Sequence, residues 1–123
     1  MIIHESSEDY LEAMLMLREE KGYIRSVDVA EKLGVKKPSV SYATKRLRES
    51  GYIVMDGSGL ISLTADGYEI ARRIYTRHKM LTEFLIRIGV DAETALEDAC
   101  RLEHDLSETS FEALCRHVEE RWV

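Results

Sequence analysis

A chain of 123 residues, 45% hydrophobic and 33% charged with a single proline, is one helix-rich globular domain or two small ones. No apolar run approaches the ~20 residues of a membrane span. The N-terminus MIIHESSEDY does not read as a signal peptide, and Cys100 and Cys115 make no disulfide framework, so a reduced cytoplasmic protein is expected. The net charge of −6, from 17 basic and 23 acidic side chains, is by itself the wrong sign for a partner that is a polyanion.

Ser6 or Ser7 is placed to cap a first helix with an acidic opening turn, Glu8 and Asp9. Tyr10, Leu11, Met14, Leu15 and Leu17 then recur at helical spacing up to Lys21-Gly22. Ser26 is expected to cap a short second helix with Val29, Ala30 and Leu33 inward, and Gly34-Val35 turns the chain. A third helix starts near Pro38 and carries Val40, Ala43 and Leu47 to Ser50-Gly51. Two β-like runs follow, 52–55 and 60–63, around the turn sequence Asp56-Gly57-Ser58-Gly59. Thr64 caps a long helix ending at Gly89, Asp91 or Thr94 opens another with Ala95, Leu96, Ala99, Leu102 and Leu106, and Ser107 opens a last one. Phe111, Leu114 and Val118 form its apolar pattern, which makes Cys115 a core residue.

The order predicts a mainly α protein. Residues 1–65 read as a winged helix-turn-helix with a two-stranded wing, and 66–123 as a helical unit able to pair two chains. The third helix offers Lys36, Lys37, Ser39, Ser41, Tyr42, Lys45, Arg46 and Arg48 outward. Residues 36–48 hold five basic side chains and no acidic one, a local +5 that leaves −11 for the rest of the chain. Charged helix faces are commonly just solvated. This one coincides with the helix that the motif lays in a DNA groove, where lysine and arginine meet phosphates and hydroxyls can reach base edges.

Metal-ligand chemistry gathers on three other helices. Asp9 and Glu12 share a face of the first, and Cys100, Glu103 and His104 share a face of the fifth at i, i+3 and i+4. His78 lies on the long helix. Each has an ordinary explanation alone, and His4 and His117 have no such company. Together, three carboxylates, two imidazoles and a thiol suit a borderline divalent transition ion better than calcium. Six candidate ligands exceed one tetrahedral zinc and fit one octahedral ion or a bridged pair.

The motifs S-E-D-Y-L-E (7–12), V-A-E-K-L-G-V (29–35), P-S-V-S (38–41), L-T-x-x-G (63–67), R-H-K-M-L (77–81) and A-C-R-L-E-H-D-L-S (99–107) run along almost the whole chain. With them the sequence resembles the metal-dependent repressors of the diphtheria toxin repressor and manganese transport regulator type. The resemblance implies a cytoplasmic homodimer with an N-terminal winged helix and a C-terminal metal-binding and dimerisation domain. It also implies a Mn(II) or Fe(II) corepressor, one or two ions per chain, and a palindromic operator in double-stranded DNA. The family's metal positions fall on Asp9, Glu12, His78, Cys100, Glu103 and His104. The acidic pair is similar to the manganese branch and Cys100 to the iron branch. Its DNA contacts fall on Lys36, Pro38, Ser39 and Tyr42. The ancillary site of the iron repressors falls on Thr82 and Leu96, so that site is expected to be absent, as is an SH3-like third domain.

Because Asp9 and Glu12 lie in the first half and the other four in the second, a shared ion would restrict how the halves move and favour the DNA-competent arrangement. The resemblance implies a regulator of metal homeostasis and no enzyme. The sequence leaves two rivals: a winged-helix regulator sensing a small organic ligand, and a carboxylate-bridged dimetal enzyme. The latter lacks the paired Glu-x-x-His motifs that such helical sites use.

Overall fold

The computed structural model describes residues 5–122. They fold into two compact units whose division falls between Arg73 and Ile74. In the first, α1 (Glu5–Lys21) is followed by β1 (Ile24–Arg25), α2 (Ser26–Leu33), α3 (Lys37–Glu49), β2 (Ile53–Met55) and β3 (Leu60–Leu63). The long helix α4 (Ala65–Arg87) begins in this unit and continues into the second, which also holds α5 (Ala92–Asp105) and α6 (Glu108–Trp122).

Helix α1 is apolar nearly all round at its centre, and Tyr10, Leu11, Ala13, Met14, Leu15 and Leu17 are all buried. A helix with that pattern is a central one, and α2, α3, β1 and β3 all contact it. Ser6 and Ser7 lie inside its first turn rather than before it, and the preceding residue, His4, is outside the described residues.

The helix-turn-helix is built by local rules. Arg25, not Ser26, stands at the start of α2, in extended conformation and without a side-chain capping bond. Gly34 ends α2 at φ 67°, a left-handed conformation that a side chain disfavours, and the Val35 amide reaches back to the Ala30 carbonyl at 3.0 Å. Pro38 sits in the first turn of α3, where its missing amide costs nothing. The buried stripe of α3 is Val40, Thr44 and Leu47. Thr44 replaces the expected Ala43 because its hydroxyl satisfies itself on the Ser41 carbonyl at 3.1 Å.

The sheet has three strands in the order β1-β3-β2, all antiparallel, where the sequence predicts two. Ile24 pairs with Ile61 and Met55 pairs with Ile61 from the other side, so Ile24, Ile53 and Ile61 share the buried face. A strand of two residues is too short to show alternation, so β1 carries no periodic signal. At the wing tip, Asp56 Oδ1 accepts hydrogen bonds from Ser58 N (2.9 Å), Ser58 Oγ (2.8 Å) and Leu60 N (3.0 Å).

Thr64 joins wing to helix. Its hydroxyl donates to the Gly51 carbonyl at 2.7 Å and accepts from the Gly67 amide at 3.1 Å, which caps α4. Gly67 lies where a Cβ would come within 2.0 Å of the Tyr52 carbonyl oxygen, so only glycine allows this close approach of helix and strand.

In the second unit Asp91 is the cap of α5, accepting from the Thr94 amide at 3.0 Å, and Ser107 caps α6 through the Ser110 amide at 3.1 Å. The buried stripe of α5 is Ala95, Ala99 and Glu103, one of them a carboxylate. Leu96 and Leu102 are exposed instead, 48% and 37%, together with Ile86 and Ile88. On α6, Phe111 is buried, whereas Leu114, Cys115 and Val118 are only half-buried. Among the described residues, no helix is long and apolar enough to cross a membrane.

Candidate metal centre and nucleic-acid interface

In the first unit Lys36, Lys37, Pro38, Ser39, Ser41, Tyr42, Lys45 and Arg46 are all exposed, because the Val40–Thr44–Leu47 stripe commits the opposite side of α3 to the interior. Tyr42 is 65% exposed, with the Arg46 guanidinium 5.7 Å from its ring centroid. This face is hydroxyl- and cation-bearing and carries no carboxylate, the composition that suits a phosphate-lined groove. Asp9 and Glu12 are three residues apart on α1, Asp9 half-buried and Glu12 only 7% exposed.

In the second unit, α4 and α5 bring four sequence-predicted residues together. His78 Nδ1 lies 3.0 Å from Glu103 Oε2 and 3.8 Å from Cys100 Sγ, and His104 Nε2 lies 3.5 Å from Glu103 Oε1. The candidate ligand atoms of His78, Cys100 and Glu103 all fall within 4.8 Å of one another. Donors at ~2.0–2.3 Å from a common ion stand at comparable separations from each other.

Burial decides how this cluster is read. Glu103 is 1% exposed and the His104 side chain 3%, whereas Cys100 is exposed at the rim. Glu103 Oε1 is buried without a hydrogen-bond partner among the described residues. A dry carboxylate oxygen is costly unless a cation meets it. The His78 nitrogen, the Cys100 sulfur and a Glu103 carboxylate oxygen make a mixed donor set that fits a borderline divalent transition ion.

Arg77 escapes the sequence reading. It is 7% exposed, donates to the Glu103 carbonyl at 3.2 Å and the Leu106 carbonyl at 2.7 Å, and pairs with Glu108 at 2.8 Å. One signal marks it in the sequence: it falls between Ile74 and Leu81 at i+3 and i+7, inside the buried stripe of α4. Thr82 and Leu96 bear no carboxylate or imidazole, and Leu96 points to solvent. His117 is exposed on α6. The Cys115 thiol is pushed up from its ordinary pKa by burial first and by Glu119, Glu108 and Glu112 after it, away from the thiolate that metals bind.

Comparison with known proteins matches two consecutive family domains along the chain. Residues 3–59 match the iron-dependent repressor N-terminal DNA-binding domain, and residues 64–121 match the iron-dependent repressor metal-binding and dimerisation domain. The HTH-type transcriptional regulator MntR of Bacillus subtilis is 39% identical over 109 residues, which span 89% of this chain and 77% of that protein. Among solved structures, the metal-dependent transcriptional regulator MtsR superposes with a TM-score of 0.84 at 31% identity. The manganese regulator SloR superposes with a TM-score of 0.81 at 30% identity. Each superposition covers 92% of this chain and 53% of the other, so the chain spans about half the length of those two solved chains. By both matched domains, the chain belongs to the iron-dependent repressor family, a family of DNA-binding transcriptional regulators and not of enzymes.

Proposed function

We propose that this chain is a cytoplasmic, homodimeric repressor that binds a palindromic operator only when a divalent transition ion is bound, and that it thereby governs metal homeostasis. The observation that carries the reading is the buried Glu103 carboxylate, flanked by two imidazoles and a thiol and with one oxygen left without a hydrogen bond. When bound, the ion supplies the positive charge that this carboxylate otherwise lacks and a fixed link among its ligands. His78 orients Glu103 Oε2 through Nδ1, and Cys100 closes the solvent side.

Asp9 and Glu12 are proposed to complete the ligand set from α1, on the strength of their shared helix face and the burial of Glu12. Ligands drawn from both units would bias the dimer toward the arrangement in which its two α3 helices meet successive turns of DNA, ~34–36 Å apart. A coupling of ~1–3 kcal/mol changes operator affinity ~5–150-fold. On α3, Lys36, Lys37, Lys45 and Arg46 take phosphates, and Pro38, Ser39, Ser41 and Tyr42 face the bases.

For the ion we propose Mn(II) or Fe(II). The likeness to a manganese regulator and the carboxylate-rich set favour the first, and the Cys100 thiolate favours the second. Calorimetric titration tests the assignment: the wild type takes up Mn(II) or anaerobic Fe(II), and Glu103→Ala and His78→Ala each lose that uptake while staying folded and dimeric. Wild-type uptake in either variant removes that residue from the ligand set.

A further inference from the structure

Arg77 carries a full charge at a core position, and desolvating a guanidinium costs several kcal/mol unless its contacts return it. Its ion pair with Glu108 returns little, because Glu108 is 60% exposed and exposed pairs are weak. The two carbonyl contacts are stronger candidates. Helix α5 ends with Leu106 in extended conformation, φ −79° and ψ 136°, and not with a left-handed residue that would close its last carbonyls. Arg77 Nη1 donates to two of the carbonyls at that end, those of Glu103 and Leu106, while its Cζ lies 5.0 Å from the Phe111 ring centroid.

Glu103 is thereby gripped twice by adjacent residues of α4. Arg77 holds its main chain and His78 its carboxylate. The Glu103 carbonyl and carboxylate are the two ends of one short residue, so fixing the first limits where the second can go. His104, next along α5, is set by the same backbone.

We propose that Arg77 is a positioning residue for the metal centre: it fixes the last turn of α5 so that Glu103 and His104 are preorganised for a divalent ion, and it raises metal affinity without touching the ion. The proposal rests on the metal-dependent reading of this cluster. Loss of an outer group that orients ligands weakens metal binding ~10–100-fold. Lysine offers a point charge on a flexible stem and cannot span two carbonyls and a carboxylate, so it restores only part of that.

The test uses the full chain and Co(II), titrated anaerobically and followed by visible absorption, with the melting temperature of each metal-free variant measured alongside. Arg77→Gln is expected to bind Co(II) ~10–100-fold more weakly than wild type, with altered ligand-field bands. Arg77→Lys should fall between the two. Glu108→Gln, which keeps the carbonyl contacts and gives up only a weak exposed pair, should leave affinity, bands and melting temperature nearly unchanged. Ile74→Ala, which only opens a cavity in α4, should lower the melting temperature and leave affinity and bands unchanged.

Wild-type affinity in Arg77→Gln overturns the proposal. So does an equal loss of affinity in Glu108→Gln or Ile74→Ala, which would make Arg77 a stability residue only. If Arg77→Gln does not fold, Arg77→Lys decides: reduced affinity supports the proposal, unchanged affinity overturns it. A wild type that takes up no Co(II), Mn(II) or Fe(II) defeats the metal reading itself, and does so before any variant is compared.

Discussion

Glu103 shows a conflict between stability and function in one side chain. Its carboxylate occupies the third position of a buried stripe whose other members are alanines. The isosteric Glu103→Gln removes the buried charge, so the metal-free protein should melt at an equal or higher temperature than wild type. The same variant should lose the stabilisation that metal gives. For wild type at ~100 times the dissociation constant that gain is ~2.7 kcal/mol, roughly ten degrees for a chain of this size. Thermal melts with and without Mn(II) check both parts. A Glu103→Gln protein still stabilised by Mn(II) would exclude Glu103 as a ligand. The two thiols offer a second check. Cys100 is exposed, whereas burial raises the Cys115 pKa, so iodoacetamide should modify Cys100 first, and bound metal should protect it. Mass spectrometry showing equal labelling with and without metal would contradict a ligand role for Cys100. At this scale the shared face of Cys100, Glu103 and His104 is legible from spacing alone, because helix geometry is local. His78 stands 22 residues before Cys100, and only the resemblance joins them in the sequence. Arg77 is hidden because a formal charge reads as surface, although its spacing from Ile74 and Leu81 says otherwise.

The elements follow the sequence where capping and turn chemistry are local. Asp91 and Thr64 cap α5 and α4, and the wing turns at Asp56-Gly57-Ser58-Gly59. The strand β1 is not legible because two residues hold no period, and Leu96 and Leu102 mislead because an apolar helix pattern does not say which side is covered. Gly67 makes the firmest prediction here. Gly67→Ala drives a methyl into the Tyr52 carbonyl at 2.0 Å, displacing the backbone whose oxygen accepts from Thr64 N at 3.0 Å. Denaturant unfolding should show a loss of ~3 kcal/mol or more, at the upper end for single substitutions. A loss under ~0.5 kcal/mol would mean that the wing does not pack on α4 in this way. The Asp91 carboxyl is held below the usual range, chiefly by the Thr94 amide. A depressed folded pKa gives stability above the unfolded pKa and loses it as pH falls through the folded value. Asp91→Ala should therefore be less stable than wild type at neutral pH, with the gap closing below the ordinary carboxylate range. A gap that persists unchanged in strong acid would show that the charge is not the source.

Over the whole molecule the charge of −6 conceals its distribution. A +5 block on one exposed helix coexists with −11 elsewhere, so acidity opposes indiscriminate nucleic-acid binding without opposing a specific dimer. Each phosphate contact contributes ~0.9 to the slope of log affinity against log salt. Lys45→Ala should therefore flatten that slope by about 2 for a dimer that uses the residue twice, and fluorescence anisotropy across salt concentrations measures it. An unchanged slope would take Lys45 out of the DNA interface. The exposed Ile86, Ile88, Leu96 and Leu102 lie in the unit that matches the dimerisation domain, consistent with apolar surface awaiting a second chain. The proposed coupling of the metal centre to α3 is tested most directly by retardation of operator DNA with Mn(II), anaerobic Fe(II) or a chelator. Wild type should retard the operator only with metal, with the chelator reversing it and Glu103→Ala failing throughout. Retardation that is indifferent to the chelator would contradict it.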